Sequence, residues 1–298
     1  MANARPGNLK RFYDVNGWLF VAPALILVAA FMFYPIIRSL VLSFFSGRGM
    51  MMNFVGFGNI ERLWYDAIFW QALTNTLTFL VIQVPIMIVL ALILANALNN
   101  PRLRFSGLFR TAIFLPCVSS LVAYSILFKS MFATDGIINS TLMAVGLADG
   151  PIEWFTDPFW AKVLVILAIT WRWTGYNMIF YLAALQNIDR SIYEAARIDG
   201  VPSWRRFLHI TIPMLKPVIL FTTITSTIGT LQLFDEVYNL TEGKGGPANA
   251  TLTLSLYIYN LTFRFMPNFG YAATVSYVIV LIVAVLSFLQ FYAARERT

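Results

Sequence analysis

The stretch SIYEAARIDGVPSWRRFLHITIPMLKP, residues 191–217, interrupts an otherwise apolar sequence with polar and basic residues. Ser191 and Glu194 have the spacing of a capping box, so we expect a helix to begin at Ser191. Gly200 is a natural helix stop, and Pro202 forces a turn before a second short helix. The stretch is therefore predicted to be a structured loop between two apolar segments.

The composition of the chain is that of a membrane protein. Of its 298 residues, 59% are hydrophobic and 12% are charged, and the mean hydropathy is +0.71; a soluble domain is about one-quarter charged. The net charge of +7 comes from short basic blocks between apolar runs, which is typical of membrane topology signals and argues against nucleic-acid binding. With one cysteine, Cys117, and one histidine, His209, we expect neither a disulfide framework nor a metal site.

Six apolar segments are long enough to cross a bilayer, which takes about 20 residues. We predict an all-α polytopic membrane protein with six transmembrane helices, at residues 17–45, 72–98, 108–128, 159–187, 215–239 and 271–292. The first span follows a basic leader, residues 1–16. It is too long for a signal peptide and lacks a small-residue cleavage site, so we expect it to stay uncleaved. Pro116 is expected to break the third span.

The positions of the basic residues orient these spans. Thirteen of the 21 Lys and Arg residues lie in the leader, in residues 99–110, in the loop at 190–217 and in the tail. Six spans put all four segments on one side, which the positive-inside rule makes the cytoplasm. Both termini and the loop are therefore expected in the cytoplasm, where an ATPase could reach the loop.

The sequence lacks the motifs of a transporter that powers itself. Gly243 and Lys244 are followed by Gly245, without the glycine spacing of a P-loop. The centres of the spans carry almost none of the carboxylates or histidines that ion-coupled carriers use as relays. We therefore expect no enzymatic activity and a separate ATPase partner. A stand-alone secondary carrier or channel is the alternative.

Two polar stripes, in the fourth and fifth spans, recur every three or four residues, which places each on one helical face. Their members are Thr170, Trp173, Asn177 and Tyr181 in the fourth span and Thr222, Thr225, Gly229, Gln232 and Glu236 in the fifth. Aromatic faces beside amide and hydroxyl groups suit a neutral polyol such as a sugar. The candidate pathway residues are accordingly Trp173, Asn177, Tyr181, Thr225, Gly229 and Gln232. Close helix packing and interfacial placement of the aromatics are the alternatives.

Arg172 is a charged residue inside the fourth span. A guanidinium at a helix centre costs about 2.5–3.5 kcal/mol on insertion scales, so it usually faces a partner or water. Asp235 and Glu236 are its candidate partners, in an intramembrane ion pair that would hold two helices in register near the outer end of the pathway. Snorkelling of Arg172 to the outer interface is the alternative.

Seven residues of the loop form a pattern of fixed spacing. They are Glu194, Ala195, Ala196, Gly200, Ile210, Ile212 and Pro213. The pattern resembles the loop signature of permease subunits of binding-protein-dependent ABC importers, which more often have Leu at the position of Ile212. The resemblance implies a cytoplasmic coupling helix that docks in a cleft of the ATPase, with Glu194 facing that subunit. A plain amphipathic loop is the alternative.

Two further stretches extend the resemblance along the chain. FLPCVSSLVAYSILFKSMFATDGIIN (114–139) and LFDEVYNLTEGKGGPANATLTLSLYIY (233–259) resemble the carbohydrate branch of these importers, which includes maltose and lactose permeases. The resemblance implies a five-helix, MetI-like permease core at 72–292, preceded by an additional N-terminal helix. It also implies that the substrate is lactose or a related di- or oligosaccharide.

The same family implies the partners. They are a second homologous permease subunit, two copies of an ATPase subunit that binds ATP and Mg, a periplasmic sugar-binding protein and membrane lipid. No cofactor is expected in this chain. Closure of the ATPases would be transmitted through residues 194–210 as rigid-body rocking, which gives alternating access across the bacterial inner membrane. Contacts with the binding protein are expected from residues 129–162 and 241–268.

Overall fold

Long helices make up most of the protein. The computed structural model describes residues 6–48, 51–100, 103–265 and 267–295. The first five residues of the leader, Arg102 and the end of the tail, with Arg297, lie outside them. Within the described residues, five helices are long and apolar enough to cross a membrane, and a bent pair makes a sixth if it is counted as one span. The chain divides into two units, Met1–Trp64 with Leu261–Tyr277 and Tyr65–Asn260 with Val278–Thr298.

The first unit contains a long N-terminal helical segment and a β-hairpin. Its elements are α1 (Pro6–Val28), α2 (Tyr34–Ser43), β1 (Phe45–Arg48), β2 (Met51–Phe54) and α3 (Gly58–Tyr65). A π turn, Ala29–Phe33, joins α1 to α2. This turn precedes Pro35, whose missing N–H and bulky ring disturb the regular hydrogen-bond ladder of a helix. The first predicted span is therefore helical, but it begins before residue 17 and ends at Ser43.

Asn59 organises the first unit around the hairpin. Its Nδ2 donates to Ser43 O at 2.7 Å and to Phe45 O at 2.8 Å. Phe45 also contacts the Phe54 ring edge-on, with the ring centroids 5.5 Å apart, across the antiparallel strand pair. In contrast, none of the described side chains in Asn16–Ser43 is buried. The apolar surface of this helix is thus available to its surroundings.

The second unit contains most of the helices. Its helices are α4 (Ala67–Leu98), α5 (Ser106–Val118), α6 (Leu121–Met131), α7 (Ile137–Ala144), α8 (Pro158–Gln186), α9 (Arg190–Ile198), α10 (Ser203–Arg206), α11 (Ile212–Leu231), α12 (Asp235–Thr241) and α13 (Leu254–Tyr259). The residues of the last helix, α14 (Phe269–Arg295), are shared between the two units.

Aspartates determine where the two longest helices of the second unit begin. Asp66 Oδ1 accepts hydrogen bonds from the first N–H groups of α4, and Asp157 Oδ1 does the same for α8. An N-cap carboxylate satisfies donors that the first helical turn leaves unpaired. Because of these caps, α4 and α8 begin before residues 72 and 159, the predicted starts of their spans.

Helices α4, α8 and α11 pack into the core of the second unit. Ala91 and Ala95, one turn apart on α4, are fully buried, and such small residues allow helix backbones to approach closely. The large buried residues around them are Leu92, Leu98, Met178, Tyr181, Leu182, Leu185 and Leu215. This core fixes the three helices whose polar faces meet farther along the bundle.

The third predicted span is broken, but not at the predicted residue. The chain bends by 102° between α5 and α6, whereas Pro116 lies inside the last turns of α5. The break falls at Ser119 and Ser120, where Ser119 is extended with φ −69° and ψ 148°. A proline disturbs a helix at its own missing N–H and at the carbonyl group four residues earlier, so Pro116 does not account for a break that follows it.

The fifth predicted span, residues 215–239, ends early. Helix α11 stops at Leu231, and α12 begins at Asp235 after an irregular turn. Thr253 Oγ1 donates to Leu233 O at 2.7 Å, which satisfies a carbonyl group exposed by the break. The prediction that Glu236 continues the helical face of α11 is therefore wrong.

Gly175 allows α5 to cross α8 closely, because a Cβ at this position would lie 2.1 Å from Ile113 O. We expect Gly175→Ala to lower the free energy of unfolding by about 1–3 kcal/mol, since the α5 backbone must shift. Thermal unfolding of the detergent-solubilised protein measures this change. Gly229→Ala is the matched control, because a Cβ there has no described atom within 4 Å. Equal losses in the two variants would contradict the close crossing.

Candidate functional site

The loop at 190–217 begins with a well-defined helix start. The predicted capping box is wrong, because the N-cap is Asp189, whose Oδ1 accepts the Ser191 N–H at 2.9 Å. A carboxylate is a stronger acceptor than a hydroxyl and also favours the positive end of the helix dipole. The hydrogen bonds from Ser191 hold the pKa of the Asp189 carboxyl below its ordinary value.

Helix α9 ends in a Schellman motif at Gly200. Gly200 has a φ of +74°, and its N–H bonds Arg197 O at 3.1 Å, while the Val201 N–H bonds Ala196 O at 3.0 Å. This left-handed ending is the one that glycine adopts without steric cost. Pro202 then caps α10, so the predicted helix, turn and second helix are present.

Helix α9 presents an exposed surface. Glu194 and Ala195 are exposed, whereas Ala196 is buried. Ile198, at the end of the same helix, is 87% exposed. The outer face of α9 thus carries both a carboxylate and an aliphatic side chain that make no contact within the described chain's core.

A side-chain contact joins α9 to the base of α11. Tyr193 OH lies 3.0 Å from Thr211 Oγ1, and Thr211 ends the π turn Phe207–Thr211 that leads directly into α11. Ile210 of this turn is half-buried, and Pro213 is exposed in the first turn of α11. The sequence carries no signal for the Tyr193–Thr211 contact, which depends on how the turn after Gly200 folds back.

A cavity of about 470 Å³ lies among α4, α8, α11 and α12, within the usual volume range of ligand sites. Its lining includes these predicted pathway residues: Trp173, Asn177, Thr225, Gly229 and Gln232. The prediction that Tyr181 lines the pathway is wrong, because this residue is fully buried and its hydroxyl lies 2.6 Å from Thr222 Oγ1. The Tyr181 side chain therefore packs α8 against α11 and does not face the cavity.

Polar side chains link the walls of the cavity. Thr230 Oγ1 donates to Gln83 Oε1 at 3.1 Å, and Ser226 Oγ lies 3.4 Å from Asn177 Oδ1. Sequence reasoning did not assign Gln83, Ser226 or Thr230 to the site. The available signals were an isolated amide in an apolar span and the four-residue spacing of the two hydroxyls.

A buried ion pair forms part of the cavity wall. Arg172 Nε lies 3.6 Å from Glu236 Oε1, with the two side chains 9% and 7% exposed. The same carboxylate oxygen accepts a hydrogen bond from Trp173 Nε1 at 2.9 Å. Of the two predicted partners, the structure therefore brings Glu236 to Arg172 and leaves Asp235 exposed.

Aromatic rings and a carbonyl group hold the guanidinium of Arg172. Its Cζ lies 5.4 Å from the centroid of the Tyr124 ring and 5.8 Å from that of Trp173. Nη2 donates to Cys117 O at 3.4 Å, while Nη1 meets no hydrogen-bond acceptor among the described residues. Arg172 thus keeps donor capacity that its present contacts do not use.

Asn139 orders the segment between α6 and α8. Its Nδ2 contacts three carbonyl oxygens at 3.0–3.2 Å, and its Oδ1 accepts from Ile152 N–H and Trp154 Nε1–H. A second cavity, of about 720 Å³, lies beside this segment. Lys129 Nζ lies 3.0 Å from Glu242 Oε1 at its edge, and this contact lowers the pKa of the Glu242 carboxyl.

The glycine-rich segment after α12 is held against α4. Asn75 Nδ2 donates to Asn249 O at 2.8 Å and to Leu252 O at 3.0 Å. A buried side-chain amide can satisfy two backbone carbonyls in this way.

Among the described residues, no cluster of His, Cys, Asp and Glu has the composition to hold a metal ion.

Comparisons with known proteins agree with this architecture. Residues 69–298 match the family described as binding-protein-dependent transport system inner membrane component. The chain is 78% identical to a lactose transport system permease protein of Rhizobium radiobacter, with 100% of both chains covered. It is 33% identical to an arabinooligosaccharides transport system permease protein of Halalkalibacterium halodurans, over 92% of this chain and 86% of that one.

A solved structure shares the fold. It is a bacterial alginate ABC transporter in complex with an alginate pentasaccharide-bound periplasmic protein. The TM-score is 0.83, with 98% of this chain and 97% of that chain covered at 23% identity. At this identity the match shows the fold alone.

We expect Arg172→Gln to lower the free energy of unfolding by about 3–5 kcal/mol, because it leaves the buried Glu236 carboxylate without its partner. Replacing Glu236 by Gln in the same protein should recover most of this loss. Chemical denaturation in detergent measures both variants. Asp235→Asn, which removes an exposed carboxylate, serves as the control. If the single variant were as stable as the wild type, the ion pair would not contribute to the fold.

Proposed function

We propose that this chain, which belongs to the family of binding-protein-dependent transport system inner membrane components, transports lactose or a related di- or oligosaccharide. The observation that carries the proposal is the 78% identity, over the full chain, to a lactose transport system permease. The chemistry of the 470 Å³ cavity supports it.

The cavity offers what a neutral sugar requires. Trp173 and Tyr176 supply aromatic surfaces at its wall, with their ring centroids 5.7 Å apart. Asn177, Thr225 and Gln232 add amide and hydroxyl groups. Aromatic faces pack against the C–H surfaces of a sugar, while the polar groups exchange hydrogen bonds with its hydroxyls.

The proposed assembly contains the partners that the family implies. A second homologous permease subunit would pair with this chain in the bacterial inner membrane, and a sugar-loaded periplasmic protein would dock on the outer loops. Two ATPase subunits would bind ATP and Mg and supply the energy, since this sequence has no P-loop. Both termini and the loop at 190–217 would lie in the cytoplasm.

Helix α9 is the proposed coupling helix, docking in a cleft of the ATPase with Glu194 at the contact. A displacement of α9 would reach α11 through the Tyr193–Thr211 contact and the connection through α10. Since Ser203–Leu231 is one continuous helix, this displacement would reach Thr225 and Gly229 in the cavity wall. The cavity would then open alternately to the two sides of the membrane.

The proposal is tested by purifying the tagged chain from mildly solubilised native membranes and reconstituting what comes with it. We expect a second permease and an ATPase to co-purify, and a lactose-loaded binding protein to stimulate ATP hydrolysis and lactose uptake. If the chain alone transported sugar in liposomes, a secondary carrier would replace the ATP-driven importer.

We expect Glu194→Lys to reduce the amount of ATPase that co-purifies with the permease by several-fold, because the substitution reverses a charge at the proposed contact. Quantitative immunoblotting of the purified complex measures this ratio. Asp149→Lys is the matched control, because it makes the same reversal at an exposed position on the predicted outer loop. An unchanged ratio in Glu194→Lys would remove Glu194 from the interface.

We expect Gly200→Val to uncouple ATP hydrolysis from transport, because a β-branched residue strains a left-handed turn by about 1–2 kcal/mol. The measurement is the number of ATP molecules hydrolysed per sugar imported in proteoliposomes, which should rise several-fold. Gly56→Val is the control, since Gly56 also has a positive φ, +54°, and a Cβ there would have no described atom within 4 Å, but it lies outside residues 190–217 and outside the expected binding-protein contacts. Normal coupling in Gly200→Val would argue against a role for this turn.

A further inference from the structure

We propose that the Arg172–Glu236 pair makes the cavity selective for uncharged sugars, because Glu236 neutralises a guanidinium that would otherwise attract anionic ones. The inference rests on the proposed function, since it assigns the cavity to the sugar. It adds the chemical property by which the cavity distinguishes substrates.

The charges in the cavity wall are few and unequal in exposure. The charged residues that line it, within the described chain, are Arg172, Asp235 and Glu236. Arg172 and Glu236 are buried and 3.6 Å apart, so their opposite charges cancel over a short distance. Asp235 is exposed, and solvent and salt screen its charge. The remaining polar lining consists of neutral groups: Gln83, Asn177, Thr225, Ser226, Thr230 and Gln232.

The mutual neutralisation of Arg172 and Glu236 matters because both side chains are almost shielded from water. A charged ligand that enters must leave its water shell, and it is accommodated only where an opposite charge is available. The carboxylate of Glu236 already occupies the guanidinium of Arg172 and is itself held by Trp173 Nε1 at 2.9 Å. An anionic sugar would therefore compete with a fixed carboxylate for the same cation.

An uncharged sugar meets no such competition. Its hydroxyls lose water but find amide and hydroxyl partners in the wall. A neutral substrate therefore leaves the Arg172–Glu236 pair intact.

The test compares two ligands that differ only in charge. Lactitol and lactobionate both consist of the galactose ring of lactose linked to an opened glucose-derived chain. At the end of this chain lactobionate carries a carboxylate, whereas lactitol has a CH₂OH group. Binding of each to the intact importer complex in nanodiscs, without the binding protein, is measured by calorimetry. We expect the wild type to bind lactitol at least tenfold more tightly than lactobionate.

Glu236→Gln should shift this ratio by tenfold or more toward lactobionate, because it leaves Arg172 as a buried, uncompensated cation. The double variant with Arg172→Gln and Glu236→Gln should again prefer lactitol. Asp235→Asn is the comparison for loss of an exposed charge and should shift the ratio by less than threefold. An unchanged ratio in Glu236→Gln, or an equal shift in Asp235→Asn, would overturn the inference.

A second variant approaches the same point from the opposite charge, in case Glu236→Gln does not assemble. Arg172→Gln leaves the carboxylate alone, so it should favour 1-amino-1-deoxylactitol over lactitol by at least tenfold, and an unchanged preference would overturn the inference. ATP-driven lactose uptake by the wild-type complex with its binding protein tests the proposed function separately. If uptake occurs and the selectivities do not change, only the present inference fails.

Discussion

The need to satisfy backbone polar groups at membrane depth governs this structure. Hydrocarbon offers no hydrogen bonds, so irregular backbone at membrane depth is tolerated only where protein or a water-filled cavity supplies partners. Two of the predicted spans are interrupted, and at each break a protein side chain supplies a hydrogen-bond partner for the backbone. Arg172 Nη2 reaches Cys117 O next to the first break, and Thr253 Oγ1 reaches Leu233 O at the second. The residues that follow these breaks, Leu121 and Leu233–Glu236 among them, line the same cavity.

The helices around the cavity are joined by two kinds of contact. Helices α4 and α8 meet through small and aliphatic side chains in a close-packed core, which resists relative movement because every displacement opens a void. Helix α11 joins this core through Leu215, whereas toward the cavity its contacts are hydroxyl and amide hydrogen bonds, such as Tyr181 with Thr222 and Thr230 with Gln83. Such hydrogen bonds can be exchanged for others, or for water, at small net cost. The cavity-facing part of α11 is therefore held by bonds that exchange more readily than the close-packed contacts between α4 and α8.

The sequence was sufficient for the class of protein and for most of its helices. The loop signature led to the family, and the stretches 114–139 and 233–259 led to its sugar-transporting branch; the family match and the full-length relative confirm both. Apolar length predicted the spans, because that signal is local. It could not place the breaks, since the carbonyl groups of Cys117 and Leu233 beside them take partners distant in sequence. The same limit explains Tyr181, whose helical face was predicted correctly as polar but whose hydroxyl meets Thr222. The start of α9 was missed for a different reason: two caps were available, and the carboxylate of Asp189 was the stronger. The roles assigned to Glu194, to the pathway residues and to the cytoplasmic termini remain predictions.

The continuous helix Ser203–Leu231 has a mechanical consequence. With 29 residues, it is about 43 Å long, so that a tilt of about 10° at one end displaces the other by about 7 Å. Its N-terminal half contains the π turn Phe207–Thr211 and two prolines, Pro213 and Pro217. These features interrupt the regular helical hydrogen bonds of that half. The N-terminal part of the helix is therefore easier to bend than the regular part that follows Pro217. A long helix of this kind converts a small change of tilt near residue 207 into a larger displacement near Leu231, so we expect substitutions around the π turn to alter the cavity wall without contacting it.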